Sequence, residues 1–149
     1  MNVISKKTHA SPNFVLWRSM TNCQDLVPNL LEEIQQWMHS VGVSTDRVTD
    51  VQIVLAEALN NVIEHGFEHE NTGELEIKIE VSDIQTVAYI SDNGMAFTPP
   101  DNAQSPLKSD GDLNTLPEGG FGWFLIKEVT SCYEFHRQAD KNKLILFFG

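Results

Sequence analysis

Apolar side chains recur along this chain with two spacings, and the changes of spacing mark its elements. Residues 1–12 show neither period and read as a loose leader, followed by a single domain over 13–149. Phe14 to Arg18 (FVLWR) reads as a short strand. Leu26, Leu30, Ile34, Trp37 and Val41 recur at steps of three and four, which predicts an amphipathic helix. Thr21 or Asn22 is placed to cap it, Pro28 falls near its first turn and Gly42 ends it. A second helix follows Ser44 or Thr45, with Val48, Val51, Leu55, Leu59 and Val62 as its buried stripe, and closes at His65-Gly66. Asp50, Val54, Glu57, Asn61 and Glu64 fall on the opposite stripe, which this spacing predicts to be wet. Leu75, Ile77, Ile79 and Val81 then alternate with Glu74, Glu76, Lys78 and Glu80, a half-buried strand. Thr86 to Ile90 is a second strand after a turn at Asp83.

Periodicity fails over residues 93–120, where Gly, Pro, Asn and Asp are frequent. A loop of that length inside one domain predicts a functional lid, over about 95–119. Gly122 to Ser131 resumes a helical pattern, with Leu125, Ile126 and Val129 apolar. Cys132 to Gln138 and Lys143 to Phe148 form a closing hairpin around Asp140-Lys141-Asn142. The order strand, helix, helix, strand, strand, lid, helix, strand, strand predicts an α+β fold. Its form is a two-layer α/β sandwich, with a mixed, mostly antiparallel sheet and helices on one face.

Composition narrows the functions open to such a domain. The 149 residues carry a formal charge of −11. That excess opposes a phosphate backbone or an anionic lipid surface as the main partner. Between Asp50 and Glu118 there are 14 acidic side chains against Lys78 and Lys108, a net of −12, so the remainder sums to +1. Any phosphate bound in the middle of the chain therefore needs a metal ion and backbone N–H groups rather than a lysine cluster. Cys23 and Cys132 make no disulfide framework and read as reduced thiols. No apolar run follows Lys6-Lys7, and none approaches membrane-spanning length. A cytoplasmic protein is the expectation.

Three segments carry candidate chemistry. In Glu57-Ala58-Leu59-Asn60-Asn61, Glu57 and Asn61 lie one turn apart on one helix face, a carboxylate beside an amide. That pair suits a proton acceptor and a hard cation, and equally an ordinary solvated face. Ser91-Asp92-Asn93-Gly94 follows a strand. It reads either as a turn or as a carboxylate facing a pocket, able to accept from an exocyclic amino group, with Gly94 permitting close approach. In Glu118-Gly119-Gly120-Phe121-Gly122-Trp123, glycines precede a helix whose N-terminal N–H groups favour an anion. Neither a Walker A loop nor a dinucleotide fingerprint is present.

In this order the segments "AEALNNVIEHG", "SDNGMAFTPPD" and "LPEGGFGWFLIKEVTS" resemble the GHKL superfamily of ATPases, most closely its anti-sigma-factor serine kinases. The resemblance covers nearly the whole chain and implies the Bergerat ATP-binding fold. It implies ATP and Mg²⁺ as cofactors, with Glu57 as general base, Asn61 as the Mg²⁺ ligand and Asp92 on the adenine amino group beside Gly94. Gly120 and Gly122 would meet phosphates through backbone N–H groups. Asn60, His65 and Phe121 join the nucleotide-binding set, with His65-Gly66 matching the subgroup's helix ending. Two departures stand out: Ala96 replaces a frequent glycine, and Asn142-Lys143-Leu144 stands where many members have a threonine on a late strand.

The resemblance further implies a protein serine kinase acting as an anti-sigma factor in a partner switch. Its substrate would be a serine or threonine on a STAS-type antagonist, and it would sequester a sigma factor or similar regulator. A homodimer through the N-terminal strand and first helix is implied too, near Trp17 or Trp37. The alternative is a nucleotide-binding module that sequesters a partner without phosphorylating it. His65 to His69 also fits HxxEH, a zinc-peptidase pattern. Gly66 interrupts the helix that such a site needs, so coincidence is the better account.

Overall fold

The computed structural model describes residues 11–21, 25–66, 73–96, 99 and 120–149. Residues 1–10 of the leader, most of the lid with Lys108, and the second half of the HxxEH stretch lie outside the described residues. In chain order the elements are β1 (Phe14–Thr21), α1 (Val27–Ser40), α2 (Thr45–Asn61), a π turn (Val62–Gly66), β2 (Glu74–Val81), β3 (Thr86–Asp92), α3 (Gly120–Val129), β4 (Cys132–Gln138) and β5 (Lys141–Phe148).

The sheet has five strands in the order β1-β2-β3-β5-β4, and every described pairing is antiparallel. It is more uniform than the mixed sheet read from the sequence. Alternation in β2 works as its pattern requires: Leu75, Ile77, Ile79 and Val81 are all buried, while the residues between them keep contact with water. Ile34 and Met38 of α1, Leu55 and Leu59 of α2, and Ile126 of α3 meet Ile77, Ile79, Ile90, Leu146 and Phe148 in one core. Fully burying each such side chain contributes about 1.5–3 kcal/mol.

The helices depart from expectation in instructive ways. α1 begins at Val27 with Leu26 before it and no side-chain cap, Pro28 sits in its first turn, and Thr21 closes β1 instead. Its buried stripe is Val27, Leu30, Ile34 and Met38, with Leu26 exposed and Trp37 only partly buried. Ser44 does cap α2, its Oγ accepting from Arg47 N at 3.3 Å. The stripe predicted to be wet fails at Val54, which is fully buried. α3 packs on that side of α2, so the helix is covered by the sheet and by a neighbour. After Asn61 the backbone widens into the π turn instead of continuing as α-helix to His65.

The closing hairpin turns earlier than the sequence suggests. Ala139 takes the left-handed conformation at φ 54°, so Lys141 and Asn142 belong to β5. Asn142 thereby becomes a buried strand residue, 3% exposed. On the far edge, β1 leaves Val15 and Trp17 half-exposed. No described helix is long and apolar enough to cross a membrane.

Candidate functional site

Strand register brings together one side of the site. Asp92 closes β3 and lies opposite Asn142 of β5, which lies opposite Arg137 of β4. Directly opposed residues point to the same face of a sheet. The Asn142 amide Nδ2 donates to Asp92 Oδ1 at 3.0 Å and to the Met95 carbonyl at 2.8 Å. Its Oδ1 accepts from Arg137 Nη1 at 3.1 Å, and the same Nη1 donates to the Gly94 carbonyl at 2.9 Å. Gly94 N donates to Asp92 Oδ1 at 2.8 Å, so the predicted Asp-Asn-Gly segment is also a turn held by its own carboxylate.

Asp92 is 6% exposed, yet both of these hydrogen bonds fall on Oδ1. Among the described residues Oδ2 has no donor. Oδ2 is not sealed from solvent, and as an acceptor at the cleft it is open to a donor from water or from a ligand. Burial pushes the Asp92 carboxyl above its ordinary range, while the Asn142 and Gly94 hydrogen bonds and the Arg137 charge offset part of that rise.

Asp92 and Asn142 open onto a cleft between the sheet and α2 that holds about 410 Å³ including its open mouth. Ala58, Val62, Ile90, Trp123, Phe135 and Leu144 give it apolar walls, and Asn61 stands at one side. Apolar walls with a few converging polar groups suit a flat heteroaromatic ring. Trp123 is itself held against Tyr133, ring centroids 5.6 Å apart.

The other side is built by two helices. Glu57 and Asn61 project from α2 one turn apart, both half-buried, and Gly122 in the first turn of α3 is pressed against them. A β-carbon at Gly122 would stand 2.8 Å from Glu57 Oε2 and 3.8 Å from Asn61 Nδ2. Only hydrogen fits. The first turn of a helix leaves its backbone N–H groups without intrahelical acceptors. Those of α3 are therefore set beside a carboxylate and an amide. Asn61 Nδ2 is buried without a hydrogen-bond partner among the described residues.

The residues present fit a magnesium nucleotide on three counts. Asn61 has a buried N–H donor, Nδ2, without a partner among the described residues, which a phosphate oxygen would satisfy, Asp92 has a free acceptor at the cleft, and α3 offers amide donors beside Glu57. Asn61 would hold the cation through its amide oxygen, and the Gly120 and Gly122 N–H groups would meet phosphate oxygens.

Most of the predicted set converges here. Glu57, Asn61 and Gly122 form one cluster, Asp92 and Gly94 form another, and Asn61 and Asp92 line the same cleft. Gly120 opens α3. Asn60 is exposed and does not line the cleft. His65 lies in the π turn and Phe121 in α3, their side chains outside the described residues. The sequence reading missed Arg137, Trp123 and Phe135, and it treated Asn142 only as a departure from a family pattern. Correct placement of the hairpin turn would have put Asn142 within β5 and opposite Arg137, but its place opposite Asp92 depends on the β3–β5 register, which no local signal gives. Among the described residues no three His, Cys, Asp or Glu side chains are grouped to hold a metal ion, and His69 lies outside them.

Comparison with known proteins bears on the same arrangement. A family model described as a histidine kinase-like ATPase domain matches residues 20–148. The chain is 28% identical over 103 residues to the serine-protein kinase RsbW of Bacillus licheniformis, which covers 67% of this chain and 63% of that relative. The chain thus spans somewhat under two thirds of the length of this curated relative. Among solved structures, the RsbU and RsbW domains of a Mycobacterium tuberculosis protein superpose with a TM-score of 0.65 at 14% identity, over 92% of this chain and 32% of that one. A chain of the SiaB–SiaC complex from Pseudomonas aeruginosa superposes with a TM-score of 0.56 at 16% identity, over 89% of this chain and 88% of that one. At these identities the two structures speak for the fold.

Proposed function

The chain belongs to the histidine kinase-like ATPase domain family, and from that premise we propose that it is an ATP-dependent protein serine kinase. The observation that carries the reading is the contact of Gly122 with Glu57 and Asn61. It sets a carboxylate base beside helix N–H groups able to hold an anion. Asp92 and the apolar cleft supply a place for the adenine ring at the other end.

In this reading a serine hydroxyl approaches Glu57, whose carboxylate takes the proton as the hydroxyl oxygen forms its bond to the terminal phosphorus. The bond from that phosphorus to the bridging oxygen breaks and ADP departs. Asn61 would hold Mg²⁺, which would supply the positive charge that the acidic middle of the chain lacks. What the protein contributes is mainly position: Glu57 and the α3 amides are held in fixed relation before the substrates arrive.

The proposed substrate is a STAS-type antagonist, with a sigma factor or similar regulator as the sequestered partner. The relatives named serine-protein kinase RsbW support a serine as acceptor. A homodimer through β1 and α1 belongs to the same proposal, as does a cytoplasmic location. Trp17 is exposed on β1 for such contact.

Incubating the purified chain with labelled ATP, magnesium and a STAS-domain protein tests the reading. Label on one serine of that protein, lost with Glu57→Gln, is the expected result. Tight ATP binding with no transfer to any STAS domain tried would instead make the chain a sequestering module.

A further inference from the structure

Arg137 was not singled out by any feature of the sequence, and the residue is exposed. Its one nitrogen Nη1 nevertheless holds two groups next to Asp92: the Asn142 side chain and the Gly94 carbonyl. Those bonds determine which way round the Asn142 amide lies. The oxygen must face the guanidinium, because a guanidinium only donates. The NH₂ must then face Asp92 Oδ1 and the Met95 carbonyl, both acceptors. With Asn142 so oriented, Oδ1 takes two donors and Oδ2 none from the described residues.

The consequence is an edge that presents an acceptor alone. Both Asn142 amide protons are used within the protein, so no donor from this residue reaches the cleft. An exocyclic amino group on a purine satisfies Oδ2, and a carbonyl oxygen at the same ring position is repelled by it.

We propose that Arg137 is a positioning residue for base selectivity, acting through Asn142 to fix the Asp92 carboxylate with one oxygen offered to an amino-purine. The proposal rests on the nucleotide-binding reading above. Its test is direct binding of ATP and of inosine triphosphate, which has a carbonyl in place of the amino group, each with magnesium, to the full chain. Removing one hydrogen-bonding group that is not itself a ligand corresponds to roughly a three- to tenfold loss of affinity. Arg137→Met should therefore weaken ATP about three- to tenfold while leaving inosine triphosphate within about twofold. Arg137→Lys, which keeps a charged donor, should restore most of the preference.

In an Asp92→Asn background, Arg137→Met should add nothing further, because the group it positions is gone. Equal weakening of both nucleotides would mean that Arg137 only supports the hairpin, and would overturn the proposal. So would an unchanged preference in Arg137→Met, or an undiminished effect in the Asp92→Asn background. A wild-type chain that binds neither nucleotide would remove the underlying reading as well, and that outcome is visible before any variant is made.

Discussion

Gly122→Ala separates the chemistry of this site from the stability of the fold. The added methyl carbon would stand 2.8 Å from Glu57 Oε2, whereas ordinary contact begins near 3.4 Å, so the carboxylate must retreat by the difference, about 0.6 Å. The backbone gives no reason to resist alanine. Gly42 is the glycine with positive φ among the described residues, and Gly122 lies in regular helix. Replacing a helical glycine by alanine is worth about 0.5–1 kcal/mol in favour of folding. Driving the Glu57 side chain off its rotamer costs about 0.5–1.5 kcal/mol. The two nearly cancel, and at this chain length a residual of 1 kcal/mol moves the melting temperature by roughly 2–4 °C.

Catalysis does not share that cancellation. A misplacement near 1 Å costs about 100-fold, so a shift of roughly half that size should lower kcat about tenfold or more. ATP affinity should stay within about threefold, because the Gly122 N–H survives the substitution. Calorimetric melting, ATP titration and single-turnover phosphorylation together check the three expectations. Wild-type kcat in the variant would refute the claim that Gly122 sets the position of Glu57. A fall in melting temperature beyond about 8 °C would show that the helices part instead of the side chain yielding.

Three further outcomes are expected. Glu57→Gln keeps the shape and removes the base, so single-turnover transfer should fall about 10²- to 10⁴-fold with ATP affinity nearly unchanged. Asn61→Ala should raise the magnesium concentration needed for half-maximal transfer by about tenfold, read from a magnesium titration of activity. Asp92→Asn keeps an oxygen for Gly94 N and Asn142 Nδ2 and turns the free acceptor into a donor, so ATP affinity should drop about tenfold or more. The same variant should melt no lower than wild type at neutral pH. The folded-state pKa of Asp92 is raised, so its contribution to stability is complete below the unfolded value near 3.8 and is lost as pH rises through the folded value. Any advantage of the neutral amide in melting temperature should thus shrink as the pH is lowered toward 3.8. An advantage that grows on acidification would contradict the burial argument.

How much of this was legible beforehand differs from element to element, for physical reasons. β2 and the cap at Ser44 were readable because each rests on a local rule, alternation in one case and a side-chain hydrogen bond in the other. Val54 was misplaced because a helical stripe reports one buried face, and α2 has two neighbours. Glu57, Asn61 and Gly122 were readable as residue types suited to phosphate chemistry. Their mutual contact was not, since it depends on how closely α3 approaches α2, and no periodicity encodes that distance. The glycine reading set Gly120 ahead of a helix starting at Gly122, whereas α3 begins at Gly120 and holds Gly122 in its first turn. It missed the steric reason for glycine at 122, where a single methyl group would crowd the Glu57 carboxylate.

The hardest feature to foresee is also the one on which the proposed base selectivity depends. Asp140, Lys141 and Asn142 are all residues that turns tolerate, and a turn placed there leaves Asn142 outside the strand. The actual reversal uses Ala139 in the left-handed region, a conformation alanine takes only at a cost of about 1–2 kcal/mol. That cost is met by pairing along the whole β4–β5 ladder and by the hydrogen bonds that Asn142 then makes. A slip of one residue in that ladder would turn Arg137 to the opposite face of the sheet and leave the Asn142 amide without its guanidinium, while the β3–β5 pairing would still set Asn142 against Asp92. The register of an outer hairpin therefore determines how a buried carboxylate meets its ligand. Substitutions in the 139–140 turn that shift the register should disturb base preference, although neither residue lines the cleft.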